Sequence, residues 1–129
     1  MNYAKEDHHK YSLKVHLIFV VKYRKKILKG NLCKDLKNIL LNQQTLKFKI
    51  EIMETDLDHI HLLVDYSPTI SVSSIVRKLK QMTSYYIWKK YDLSSYFWKE
   101  HSFWSNGYFA CSIGEESTET IKKYIKSQG

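Results

Sequence analysis

His59 and His61 stand one residue apart in the run Asp58-His59-Ile60-His61-Leu62-Leu63-Val64, and Tyr124 and Gln128 stand four apart near the far end of the chain. In a strand, residues i and i+2 point to the same face, so the two imidazoles lie side by side while Ile60, Leu62 and Val64 fill the opposite face. Neutral imidazole is the commonest metal-ligating side chain. On a helix, Tyr124 and Gln128 share a face. Two histidines, a helical tyrosine and an amide oxygen on a basic chain suit metal-assisted attack on a nucleic-acid phosphate. Local spacing leaves other readings open. A His-x-His pair also arises by chance, and Tyr124 shares its helical arc with Ile121 and Ile125, so it also suits packing. Ten tyrosines are present, and spacing alone does not single this one out.

Other chemistries are poorly served. His16 and His101 are further metal candidates, but neither has a partner at ligand spacing in the sequence. Cys33 and Cys111 are isolated, which argues against a zinc site or a disulfide framework. The glycines Gly30, Gly107, Gly114 and Gly129 form no phosphate-cradling loop, and no GxSxG elbow occurs.

The elements that must carry these residues follow from periodicity. Ser12 to Lys22 alternates, with Leu13, Val15, Leu17, Phe19 and Val21 on one face, and predicts a first strand. Asn31 is a candidate cap for a helix with apolar positions at Leu32, Leu36, Ile39, Leu40 and Leu46. Phe48, Ile50 and Ile52 alternate with Lys47, Lys49 and Glu51. A turn over Thr55-Asp56-Leu57-Asp58 joins this second strand to the histidine strand as a hairpin. From Ser71, the residues Val72, Ile75, Val76, Leu79, Met82, Thr83 and Tyr86 recur at helical spacing as a buried stripe, with Arg77, Lys80, Gln81, Ser84 and Trp88 on the other side. A strand around Gly107 to Ile113 and a last helix, capped by Ser117 or Thr118 and reaching Gln128, complete the order. The order strand, helix, strand, strand, helix, strand is the ferredoxin-like, RRM-like split βαβ pattern of an α+β fold, here with a C-terminal helix carrying the tyrosine. Both core helices then cover one sheet face, and the histidines project from the other.

Composition sets the context. A chain of 129 residues with 43% hydrophobic residues and one proline fits a single domain spanning residues 1–129. The longest apolar run, Leu17 to Val21, is strand-sized, so no membrane span is expected. Glu6, Asp7 and several lysines and histidines precede any apolar segment, unlike a signal peptide, and the expected location is the cytoplasm. The net charge of +8 favours a polyanion. Aromatic rings beside cations suit stacking on bases. Lys22-Tyr23-Arg24-Lys25-Lys26 and Tyr85 to Tyr91 have that composition, and Lys22, Arg24, Lys25, Lys26, Arg77 and Lys80 are the candidate DNA-binding residues.

From about Tyr11 to Gln128 the chain resembles the single-tyrosine HUH transposases of the two-hundred-type bacterial insertion sequences, including relatives that act on repeated palindromes. The resemblance rests on His16 followed by Lys22-Tyr23-Arg24-Lys25-Lys26, on Thr55 to Val64, on Phe103-Trp104-Ser105-Asn106-Gly107-Tyr108-Phe109, and on Ile121-Lys122-Lys123-Tyr124-Ile125-Lys126-Ser127-Gln128, in this order and spacing. It implies that His59 and His61 are the paired histidines of the HUH motif, Tyr124 the nucleophile and Gln128 the third metal ligand. It further implies a divalent metal ion, Mg²⁺ or Mn²⁺, single-stranded DNA with subterminal hairpins as substrate, a 5′-phosphotyrosine intermediate with a free 3′-hydroxyl, and a homodimer whose tyrosine helix completes the partner's site. Mixed nitrogen and oxygen ligands suit Mn²⁺ better than Mg²⁺. Two other classes remain compatible: a domesticated nuclease with the same chemistry, and a non-catalytic single-strand-binding domain that would need no paired histidines.

Overall fold

In the computed structural model, which describes residues 13–98, 101–114 and 118–128, the elements run β1 (Leu13–Val20), α1 (Gly30–Asn42), β2 (Phe48–Asp56), β3 (His59–Tyr66), α2 (Val72–Lys90), β4 (Phe109–Ile113) and α3 (Thr118–Gln128). Side chains of α3 are described for residues 122–127. The strands form one sheet in the order β2-β3-β1-β4, every neighbouring pair antiparallel. This is the split βαβ arrangement of an α+β fold that the element order predicts.

One sheet face makes the core. Val15, Leu17 and Phe19 of β1 and Ile60, Leu62 and Val64 of β3 are buried there against Leu36 and Leu40 of α1 and Ile75, Val76, Leu79 and Ile87 of α2. Each such side chain contributes roughly 1.5–3 kcal/mol of burial free energy. Strand alternation then dictates the other face. The β1–β3 register pairs Val20 with His59, Ile18 with His61 and His16 with Leu63, so His16, His59 and His61 all lie on the face away from α1 and α2.

The second strand departs from its simple alternation. Its register on β3 slips between Ile50, opposite Val64, and Ile52, opposite Leu63. The extra residue at this β-bulge reverses the facing of everything after it. Phe48 and Ile50 face the core as expected, whereas Ile52 turns to the histidine face and Met53 packs against the core in its place.

Four further expectations need correcting. Leu46 lies past α1 and is 90% exposed, and α1 begins at Gly30 with Lys29 at its cap position and no side-chain cap bond, so Asn31 is not the cap. The buried stripe of α2 ends on Ile87, while Tyr86 is 43% exposed, because Ile87 continues the spacing from Thr83. Trp88 packs against the core and its Nε1–H donates to the Ser102 carbonyl at 2.7 Å, so it is no surface residue. The start of α2 is as expected, with the Ser71 hydroxyl accepting from the Ser74 amide. Ser117, a candidate cap of α3, lies outside the described residues.

Candidate active site

The histidine strand starts directly after the two-residue turn Leu57-Asp58, which closes the β2–β3 hairpin between Asp56 and His59. That tight turn fixes where the first imidazole points. His59 Nδ1 lies 2.7 Å from Asp58 Oδ1, and a neutral His59 donating there carries its lone pair on Nε2. Asp58 Oδ2 also accepts from Arg24 Nε at 3.0 Å. The hydrogen bond from His59, opposed by burial and reinforced by Arg24, holds the Asp58 carboxyl below its ordinary value, so it stays an acceptor.

His61 is 3% exposed, with its ring 5.1 Å from that of His59. Its Nδ1 lies 2.9 Å from His16 Nε2. Its Nε2 is the one buried side-chain nitrogen or oxygen among the described residues without a hydrogen-bond partner. Burial first, then the neighbouring imidazoles of His16 and His59, push the His61 pKa down to about 4. At neutral pH it is therefore a neutral imidazole, the form that ligates a metal.

The histidine face is not left open. α3 crosses back over β2 and β3, seated by Ile125, which is fully buried, as is Leu63 on that same sheet face. Lys122 Nζ reaches Glu51 Oε2 at 3.3 Å, and Glu51 also pairs with Lys14. Against the burial that would raise it, these two lysines hold the Glu51 carboxyl below its ordinary value, so the pairing persists at neutral pH. One residue before Ile125, Tyr124 is half exposed, with its ring edge-on at 6.3 Å from His61 and 6.4 Å from His16. The fold thus brings Tyr124 to the histidine pair within one chain, through some sixty residues of intervening sequence.

The donor set fits a divalent ion in one respect that the structure itself supplies, since an orphaned, buried imidazole nitrogen gains a partner when it ligates. Among the described residues no group of three His, Cys, Asp or Glu side chains could hold a metal. Gln128 is of none of these types, and it sits at the end of α3 with its side chain outside the described atoms.

The basic candidates divide. Arg24, Lys26 and Arg77 are exposed and Lys22 and Lys25 partly so. Tyr23 and Arg24 both adopt left-handed backbone conformations, φ +61° and +53°, costing about 1–2 kcal/mol each. Arg24 N–H to Val21 O, Val21 N–H to Asp58 O and Lys22 N–H to Phe103 O hold this segment against the histidine turn. Lys80 behaves differently. Its ammonium donates to the carbonyls of Ser105 at 2.9 Å and Gly107 at 2.5 Å, and burial pushes its pKa down. It pins the 105–107 loop rather than projecting outward. Tyr91, likewise, donates to Asp35. His16, a metal candidate without a partner in the sequence, gains one in His61, and Asp58, part of the histidine run, backs His59; neither contact is legible from spacing, because both depend on strand register and turn geometry.

The chain and its fold are similar to known proteins. The family described as "Transposase IS200 like" matches residues 9–128. The chain is 30% identical over 123 residues to the transposase for insertion sequence element IS200 of Salmonella typhimurium, covering 94% of this chain and 80% of that protein. It is 32% identical over 120 residues to the ISDra2 transposase TnpA of Deinococcus radiodurans, covering 92% and 85% respectively. A crystal structure of a protein assigned as a transposase in Deinococcus radiodurans R1 superposes with a TM-score of 0.73 at 25% identity, covering 92% of each chain. The fold is also that of a REP-associated tyrosine transposase solved with a REP hairpin, TM-score 0.59 at 11% identity over 88% of this chain and 62% of that one.

Proposed function

The chain belongs to the IS200-like transposase family, enzymes acting on DNA, and on that premise we propose that it is a metal-dependent single-stranded DNA endonuclease and strand transferase that recognises hairpin ends and cuts through a tyrosine nucleophile. The observation that supports this most is the juxtaposition of Tyr124 with a histidine pair whose deeper member keeps an unpartnered Nε2. A binding domain without catalysis would have no use for that nitrogen.

Tyr124 Oη attacks the scissile phosphorus. The bond from phosphorus to the 3′ oxygen breaks, that oxygen takes up a proton as a free hydroxyl, and the phenolic proton leaves to water. The 5′ phosphate stays on Tyr124 as a phosphodiester, so a second 3′-hydroxyl can displace the tyrosine and rejoin strands without ATP. Packing of α3 on the sheet fixes the angle of approach, and alignment of this kind can contribute several kcal/mol. His59, His61 and Gln128 would hold the divalent ion, Mg²⁺ or Mn²⁺, which when bound supplies neutralisation of charge on the phosphate oxygens. Asp58 orients His59. The test is incubation with single-stranded element-end DNA and Mn²⁺, followed by mass spectrometry. A covalent peptide–DNA adduct on Tyr124 is expected, and binding without any adduct would leave only the single-strand-binding reading.

The exposed cations Arg24, Lys26 and Arg77 and the partly exposed Lys22 and Lys25, with the exposed rings of Tyr23 and Tyr85, are read as the DNA-contacting surface. Affinity for hairpin DNA is then expected to fall steeply with salt as counterions are released. Neutralising Lys26 or Arg77 should lower affinity and reduce the salt slope by roughly one each. Lys80→Met should instead act through the loop it pins, leaving the slope unchanged. A flat salt dependence in a filter-binding or anisotropy titration would remove the basic surface from the DNA site.

The working unit is proposed to be a homodimer. β4 is an edge strand whose residues Phe109 to Ser112 are exposed, the kind of edge that pairs with another copy unless covered. A second subunit would offer the same seat for Ile125 and the same Glu51 for Lys122, so α3 can exchange between subunits without net loss of contacts. Mixing Tyr124→Phe subunits with His59→Ala, His61→Ala subunits is therefore expected to restore cleavage at one of two sites. An inactive mixture, with mixed dimers verified by native mass spectrometry, would tie each tyrosine to its own chain. No described helix is long and apolar enough to cross a membrane.

A further inference from the structure

His16 stands outside the paired-histidine motif, yet its Nε2 lies 2.9 Å from His61 Nδ1, and the two rings are within 19° of coplanar at a centroid separation of 5.2 Å. Near-coplanar rings at that distance are joined edge to edge through their nitrogens. Both residues are buried, His16 at 5% and His61 at 3% exposure. We propose that His16 is a positioning residue for the metal site: its Nε2 accepts a proton from His61 Nδ1 and thereby keeps the lone pair of His61 on Nε2, the nitrogen presented for ligation. The inference rests on the metal reading of His61 given above.

The argument is one of tautomers. Two neutral imidazoles sharing a hydrogen bond place a single proton between the facing nitrogens, and there are two ways to do so. If His16 Nε2 carried it, His61 would have to bear its own proton on Nε2. That N–H would be buried with no acceptor, the costlier way to leave a polar group unpaired, and it could not ligate. If His61 Nδ1 carries it, the hydrogen bond is kept and Nε2 becomes a bare lone pair, waiting for a cation. His59 reaches the same tautomer by a different route, through the Asp58 carboxylate at 2.7 Å. The two members of the pair are thus each oriented from behind, one by a carboxylate and one by a neutral ring. Backing of ligating histidines in this way fixes ring orientation and ligand basicity. A neutral partner at His61 has a further effect: it adds no negative charge beside a ring that is already buried.

The experiment uses the full chain and reads the metal-free protein first. ¹⁵N-edited NMR of histidine-labelled wild type is expected to place the His61 proton on Nδ1. In His16→Phe, which keeps a buried ring but removes the acceptor, the His61 signal should move toward the Nε2–H tautomer, and Mn²⁺ affinity measured by electron paramagnetic resonance should fall about 10–100-fold. His16→Gln, whose side-chain oxygen stands in for Nε2, should recover most of both. A wild-type His61 protonated on Nε2, or a His16→Phe protein with wild-type Mn²⁺ affinity, overturns the role of His16 alone. Failure of the wild type itself to bind Mn²⁺ overturns the metal reading and this inference with it.

Discussion

Replacing Tyr124 by phenylalanine is expected to reduce DNA cleavage by a factor on the order of 10⁴–10⁶, the range seen when a covalent nucleophile is removed from an otherwise intact site, while hairpin affinity stays close to wild type. The substitution deletes one oxygen from a side chain that is half exposed and contributes nothing to the main core. Its neighbour Ile125 still seats the helix, and Lys122 still reaches Glu51. Stability should therefore hardly move, and the loss would belong to chemistry alone. Two measurements check this together: a gel assay on labelled single-stranded DNA, and an anisotropy titration of the same DNA with the variant. Undiminished cutting by Tyr124→Phe would remove Tyr124 from the reaction, and a parallel loss of binding would make it a recognition residue instead.

The second large effect is expected at the histidines. His59→Ala should abolish divalent-dependent cleavage, and it is the cleaner of the two variants because His59 is only partly buried and Asp58 keeps Arg24 as a partner when it is gone. His61→Ala should abolish cleavage as well, with some loss of stability, since a buried ring and the hydrogen bond to His16 go with it. Gln128→Ala should cost less, because water can take the place of an amide oxygen. Mn²⁺ titrations of each variant, with and without excess chelator, provide the check. Full wild-type activity in chelator would exclude metal-assisted chemistry at this site.

What could be read from the residues, and what could not, divides along physical lines. Alternation in β1 and β3 and the helical stripe of α2 are periodic signals, and periodicity survives into structure because burial enforces it. The facing of His59 and His61 opposite Ile60 and Leu62 was legible for the same reason. The bulge after Ile50 was not, because one inserted residue has no period of its own and shows only where Met53 takes the place expected of Ile52. Lys80 sits on the same helical arc as Arg77, and nothing local distinguishes a cation that caps carbonyls from one that meets solvent. The contact between His16 and His61 spans 45 residues and depends on strand register and rotamer at once. The approach of Tyr124 to the histidines depends on how the chain returns after β4, which family resemblance implied and residue spacing did not.

The seating of α3 has a kinetic side. Among its described side chains, one fully buried isoleucine and one lysine–glutamate pair fasten the helix to the sheet. Burial of one such side chain contributes about 1.5–3 kcal/mol and a partly exposed ion pair up to about 1 kcal/mol. Taken by themselves, these two contacts correspond to a detached population between about 0.1% and about 10% at equilibrium. Detachment on this scale is local opening, far cheaper than unfolding the sheet beneath. The proposed nucleophile thus rides on a helix whose described side chains fasten it to the sheet at two points, and a reaction that must release one DNA end and capture another within the same site would have in that helix a part able to leave and return.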